Sequence, residues 1–125
     1  MGEVAFTDRE LDIMAVLWEH GPSTVADVRD QLTDELAYTT VLTILRTLEE
    51  KGYVGHEAEG RAYRYHARVE RGEARMSAVE HMTKKLFAGS TESLLTHLVS
   101  DQALTDEQLE RIRALLNVRL GGDEE

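Results

Sequence analysis

Cysteine is absent from this chain, which excludes disulfides, thiolate metal sites and a catalytic thiol and fits a reducing compartment. Proline occurs once, so helices can run without interruption. Aromatic residues make up only 6% of the sequence, and any core must be mostly aliphatic. No run approaches the roughly 20 apolar residues of a membrane span. The opening M-G-E-V-A-F-T-D has neither the basic patch nor the apolar stretch of a signal peptide. A soluble, cytoplasmic protein without membrane contact is expected. Also missing are a G-x-S-x-G elbow, a glycine-rich phosphate loop and an H-E-x-x-H pair. No catalytic, cofactor or metal residue is assigned, and the chain is not expected to be an enzyme.

Positive charge is scarce too: 14 basic residues stand against 24 acidic ones, for a net charge of −10. Such a chain should be repelled by nucleic acid as a whole. The charge is unevenly placed, however. Residues 1–35 hold two basic and nine acidic groups, whereas residues 36–68 hold five and four. Within that middle stretch, residues 36–48 carry Arg46 and no acid, and residues 61–68 carry Arg61, Arg64 and Arg68 and no acid.

Helical punctuation fills the rest. Thr7 and Glu10 have the spacing of a capping box, and Phe6 and Leu11 that of a hydrophobic staple. Leu11, Met14, Leu17 and Trp18 follow at helical intervals, up to His20-Gly21-Pro22. Ser23 or Thr24 caps a shorter helix with Val25, Val28 and Leu32 inward. A third helix is predicted from about Tyr38 to Lys51, with Val41, Ile44, Leu45 and Leu48 facing the core. Its other side carries Thr39, Thr40, Thr43, Arg46 and Thr47. Threonine is a mediocre helix former, so several on one exposed face call for another reason. Close approach to phosphates and thymine methyls supplies one; caps and solvated filler are the alternative.

Gly52 fits the left-handed position that ends a helix. Residues 53–57 and 62–66 then read as strands around a Glu59-Gly60 turn, with Tyr63 and Tyr65 on one face and Arg64 and His66 on the other. A helix of small polar donors followed by a basic hairpin is the pattern of a winged helix-turn-helix: the helix enters the major groove and the wing grips the backbone. The candidate DNA-binding residues are Tyr38, Thr39, Thr40, Thr43, Arg46, Thr47, Gly60, Arg61 and Arg64.

From about residue 71 the chain reads as three short helices, the first with Met76, Val79, Met82 and Leu86 on one stripe. A break at Gly89-Ser90 and a second capping box at Thr105 and Gln108 separate the others, and Gly121 to Glu125 reads as a frayed tail. These helices are too small to enclose a core alone, and a second copy is the economical way to cover them. The candidate dimer interface is Met82, Leu86, Leu94, Leu95, Leu98, Leu109, Ile112, Leu115 and Leu116.

The segments T-D-R-E-L-D-I-M-A-V-L-W, S-T-V-A-D-V, A-Y-T-T-V-L-T, K-G-Y-V, G-R-A-Y-R-Y, L-F-A-G-S and L-T-D-E-Q-L-E-R-I-R-A-L-L occur in this order. With them the chain resembles the penicillinase repressor (BlaI/MecI) family of bacterial transcriptional regulators, from Thr7 to about Leu120. The resemblance implies a mainly α fold with a small antiparallel β wing: a winged helix-turn-helix domain over residues 1–70 and a helical dimerisation domain over 71–125. It implies a repressor that binds double-stranded DNA at a palindromic operator as a homodimer, with Thr39, Thr40, Thr43 and the Gly60-Arg61 turn at DNA-reading positions. Two departures stand out. The arginine usual just before the last leucine of helix three is replaced by Thr47, and Arg46 lies one place earlier, about 100° around the helix. The Asn-Phe bond that a regulatory protease cuts in family members is matched here by His97-Leu98. The family's copper-responsive branch uses cysteines that this chain lacks. Two other readings stay open: a winged helix used only for protein–protein contact, and a metal-responsive regulator using Glu80, His81 and His97.

Overall fold

The computed structural model describes residues 4–121. Thus the first three residues, and all of the expected C-terminal tail but Gly121, lie outside the described residues. The order is α1 (Asp8–His20), β1 (Ser23–Thr24), α2 (Val25–Gln31), α3 (Tyr38–Glu50), β2 (Val54–Glu59), β3 (Ala62–Ala67), α4 (Arg71–Leu86), α5 (Thr91–Ser100) and α6 (Asp106–Arg119). The helices and the small antiparallel sheet make a mainly α protein with a β wing, as the sequence predicts. No described helix is long and apolar enough to cross a membrane. The chain divides into two compact units, one ending at Ala78 and one beginning at Val79, so the division falls inside α4.

In the first unit, Ile13, Met14 and Leu17 of α1, Val25 and Val28 of α2, and Val41, Leu45 and Leu48 of α3 close a core with Val54, Tyr65 and Val69. Thr7 caps α1 with both bonds of a capping box. The buried face of α1 differs from the expected stripe. Leu11 is 42% exposed, while Ile13 and Val16 are buried. A step of about 100° per residue carries Leu11 off the face that Glu10, Met14 and Leu17 share. The expected Phe6–Leu11 staple gives way to an aromatic cluster, in which Phe6 packs on Tyr53 at 4.7 Å and on Trp18 at 6.2 Å between ring centroids.

Thr24, not Ser23, caps α2. Ser23 is committed to β1, where it pairs with Tyr65 and donates its hydroxyl to the Gly21 carbonyl at 2.8 Å. β1 is an element the sequence reading lacks. It places β3 in the centre of a sheet of order β1-β3-β2. At the end of α3 the Gly52 and Tyr53 amides donate to the Glu49 and Leu48 carbonyls, both at 3.0 Å, with Gly52 at φ +88°. This pair of bonds is a Schellman motif, and it turns the chain directly into β2. The hairpin turn sits one residue later than the Glu59-Gly60 turn read from the strand pattern, at the Gly60-Arg61 turn that the resemblance implies. Glu59 pairs with Ala62, leaving Gly60 and Arg61 as its two central residues. Gly60 has φ +64°, the pattern of a II′ turn with glycine first.

After the wing, the Trp18 indole N–H donates to the Val69 carbonyl at 2.8 Å, and the Arg71 guanidinium lies over the Trp18 ring. Ser77 exchanges two 2.9 Å hydrogen bonds with the backbone of Val4. The second unit contrasts with this. Neither α5 nor α6 has a buried residue.

Candidate nucleic-acid interface

The third helix presents Tyr38, Thr39, Thr40, Thr43 and Arg46 to solvent, with Thr47 half-buried at the edge of the same face. Val41, Leu45 and Leu48 on the opposite side are fully buried and fix its rotation. Its start differs from those of four other helices. Side chains cap α1, α2, α5 and α6, whereas Ala37 gives α3 no side-chain cap. An uncapped first turn leaves amide N–H groups and the positive end of the helix dipole facing outward, which suits a phosphate. Thr43 donates its hydroxyl to the Thr39 carbonyl at 2.9 Å, and Thr47 to the Thr43 carbonyl at 3.1 Å. Each hydroxyl hydrogen is thereby spent on the helix itself. What these side chains still offer is an oxygen lone pair and a methyl group.

The three candidate arginines differ sharply. Arg46 on α3 and Arg61 at the wing tip are exposed and form no ion pair among the described residues. Arg64 is tied down. Its Nε donates to the Glu59 carboxylate, its Nη1 donates to the Pro22 carbonyl at 3.0 Å, and Asp27 lies 3.8 Å away. The Glu59 hydrogen bond raises the Arg64 pKa above its ordinary value. Tyr65 is core, with burial first and the Glu49 carboxylate next raising its phenol, while Tyr63 is half exposed. His56 packs against both rings, at 4.5 and 5.4 Å, and contacts Glu49 at 2.8 Å, joining the wing to the end of α3.

One organising pair is invisible to local sequence patterns. Lys51, at the end of α3, donates to both oxygens of the buried Glu10 carboxylate at 2.9 and 3.0 Å. Burial pushes the Glu10 carboxyl up, but hydrogen bonds from Lys51 and from the Thr7 amide outweigh it and the net value is lowered. The pair fastens α1 to the helix that presents the threonines.

In the second unit, Met82, Leu86, Leu95, Leu98, Leu115 and Leu116 are exposed, and Leu94, Leu109 and Ile112 are half-buried. His97 lies within α5 beside Asp101 at 3.4 Å and packs on Phe87. No three His, Asp or Glu side chains gather into a metal-holding group among the described residues.

Comparison with known proteins agrees with this geometry. The sequence matches the family described as "Penicillinase repressor" over residues 6–118. It is 34% identical to "Transcriptional regulator BlaI" of Mycobacterium tuberculosis over 120 residues, covering 91% of this chain and 85% of that protein. It is 20% identical to "Methicillin resistance regulatory protein MecI" of Staphylococcus aureus, over 86% of this chain and 89% of the relative. Among solved structures, a transcriptional regulator from Thermotoga maritima matches with TM-score 0.56 and 22% identity, over 92% of this chain and 74% of that one, which shows a shared winged-helix fold. The chain therefore belongs to the penicillinase repressor family, whose members are DNA-binding transcriptional regulators and not enzymes.

Proposed function

We propose that this protein represses transcription by binding, as a homodimer, to a palindromic operator in the cytoplasm. In this reading α3 enters the major groove. Tyr38, Thr39, Thr40, Thr43 and Thr47 face bases and sugars, Arg46 meets a phosphate, and the Gly60-Arg61 turn meets the backbone beside the groove. The observation that carries it is the pairing of an uncapped α3, free of acid from Tyr38 to Leu48, with a wing-tip arginine that has no ion pair among the described residues, in a chain that is otherwise strongly acidic. The second copy is supported by the exposed Leu and Met side chains of the second unit, a patch that water should not be left to cover. A two-fold dimer would read two half-sites about 34 Å apart, or a multiple of that. Footprinting on a promoter fragment tests this. Two symmetric protected half-sites at that spacing are expected; one isolated half-site, or protection without symmetry, would contradict it.

A further inference from the structure

We infer that Arg64 is a wing-positioning residue and not a DNA ligand: it clamps the β2–β3 hairpin to the start of α2, so that Arg61 is held where it can reach a phosphate. The inference rests on the DNA-binding reading of the wing and deepens it. Three partners of Arg64 come from three places in the fold. Glu59 lies on β2 at the base of the hairpin turn, Pro22 precedes β1, and Asp27 is in the first turn of α2. The backbone geometry is consistent with this, since Arg64 pairs with Thr24 on β1 and with Glu57 on β2. A planar guanidinium can serve several acceptors at fixed angles, which the compact ammonium of lysine does less well. A lone hairpin is marginally stable at best, and β1 gives this one only two residues of extra pairing. A side-chain tie between wing and helix therefore adds a restraint where the backbone supplies few. Arg61, three residues before Arg64, has no such tie among the described residues.

The clamp and the phosphate ligand make opposite predictions at Glu59. If Arg64 were a ligand held back by Glu59, then E59A would free it and remove an acid beside the DNA. Affinity would rise and the salt dependence would steepen. If Arg64 is a clamp, E59A loosens the wing, and the contact of Arg61 is lost with it. The expected result is an affinity lower by roughly five- to tenfold near 0.1 M salt, with a salt slope shallower by about one unit. E57A controls for charge: Glu57 is exposed on the same strand and, although it faces Arg64 in the ladder, makes no side-chain hydrogen bond or ion pair with it among the described residues, so its removal should leave binding equal or slightly tighter. R64A should match E59A, and adding R61A to R64A should cost nothing further. R64K should rescue little.

Operator binding by anisotropy across salt concentrations, with amide exchange of residues 54–67 on the free protein, reads all of this. The clamp predicts faster wing exchange in R64A and E59A but not in R61A. Tighter binding by E59A than by E57A, full rescue by R64K, or additive slope losses of R61A and R64A would each overturn it. Unchanged wing exchange in R64A would overturn it without reference to DNA. A wild-type chain that binds no DNA would sink the DNA-binding reading instead, while the exchange data still judge the clamp.

Discussion

At Thr43 and Thr47 the hydroxyl hydrogen bonds the helix's own carbonyl, so in the proposed complex these side chains would offer DNA an acceptor and a methyl group. Substituting Thr43 with alanine should therefore shift which bases are preferred more than it lowers overall affinity, because methyl contacts read thymine. Selection of preferred sites from a random pool checks this; an unchanged preference would remove Thr43 from the base-reading set. Arg61→Ala should act differently. A lost phosphate contact weakens all sequences alike and flattens the salt slope by about one unit, which titrations on operator and random DNA measure. Seven of the nine candidate contact positions could be proposed from sequence because threonine and arginine have distinctive chemistry on an exposed face. That Arg64 is spoken for could not. Its partners Pro22, Asp27 and Glu59 come from separate elements, and only the folded chain brings Pro22 and Asp27 to it.

Among elements, α3 is held by its buried side, its Schellman end and the Lys51–Glu10 pair. Gly52 at φ +88° should tolerate alanine poorly, at a cost of roughly 1–2 kcal/mol, and denaturant unfolding of Gly52→Ala measures it. Glu10 has a lowered carboxyl pKa in the fold, against an ordinary value of 4.5. Its stabilising contribution is complete above that ordinary value and is lost as pH falls through the lower folded one. Glu10→Gln should accordingly destabilise the protein at neutral pH by about 1 kcal/mol, the half-exposed Lys51 weakening the pair. It should also flatten the loss of stability as pH falls below the ordinary carboxyl value. Parallel slopes for variant and wild type in that window would mean that Glu10 does not carry the dependence. The capping boxes at Thr7 and Thr105 were legible because they are local, spaced three apart. β1 was not, because two residues have no periodicity and their pairing depends on β3, 40 residues away. Leu11 misled for a related reason: a leucine at helical spacing does not say which way the helix is turned until the neighbouring elements settle it.

For the whole molecule, the question is how a chain of net charge −10 approaches a polyanion. Residues 1–35 hold nine of the 24 acidic groups and residues 69–125 eleven, whereas α3 up to Leu48 and the returning strand of the wing hold none. Acid elsewhere should suppress loose binding more than docking at an operator, giving a narrow salt window and modest affinity per protomer. In the proposed dimer, two protomers per site would offset that weakness. Leu115 is 69% exposed in the single chain, so Leu115→Asp should leave the fold intact while charging the proposed seam and yielding monomers. A variant that still sediments as a dimer would place the seam elsewhere. Sequence could foresee these helices as too small for a core of their own, since their stripes are long in Leu and short in partners.

The most direct test is fluorescence anisotropy of the purified protein on fragments of its own upstream region, at several salt concentrations with competitor DNA. Saturable, competitor-resistant binding to one fragment with two protomers per site is the predicted result. Equal, weak binding to every fragment, or a single protomer at saturation, would contradict the account of a dimeric operator-binding repressor.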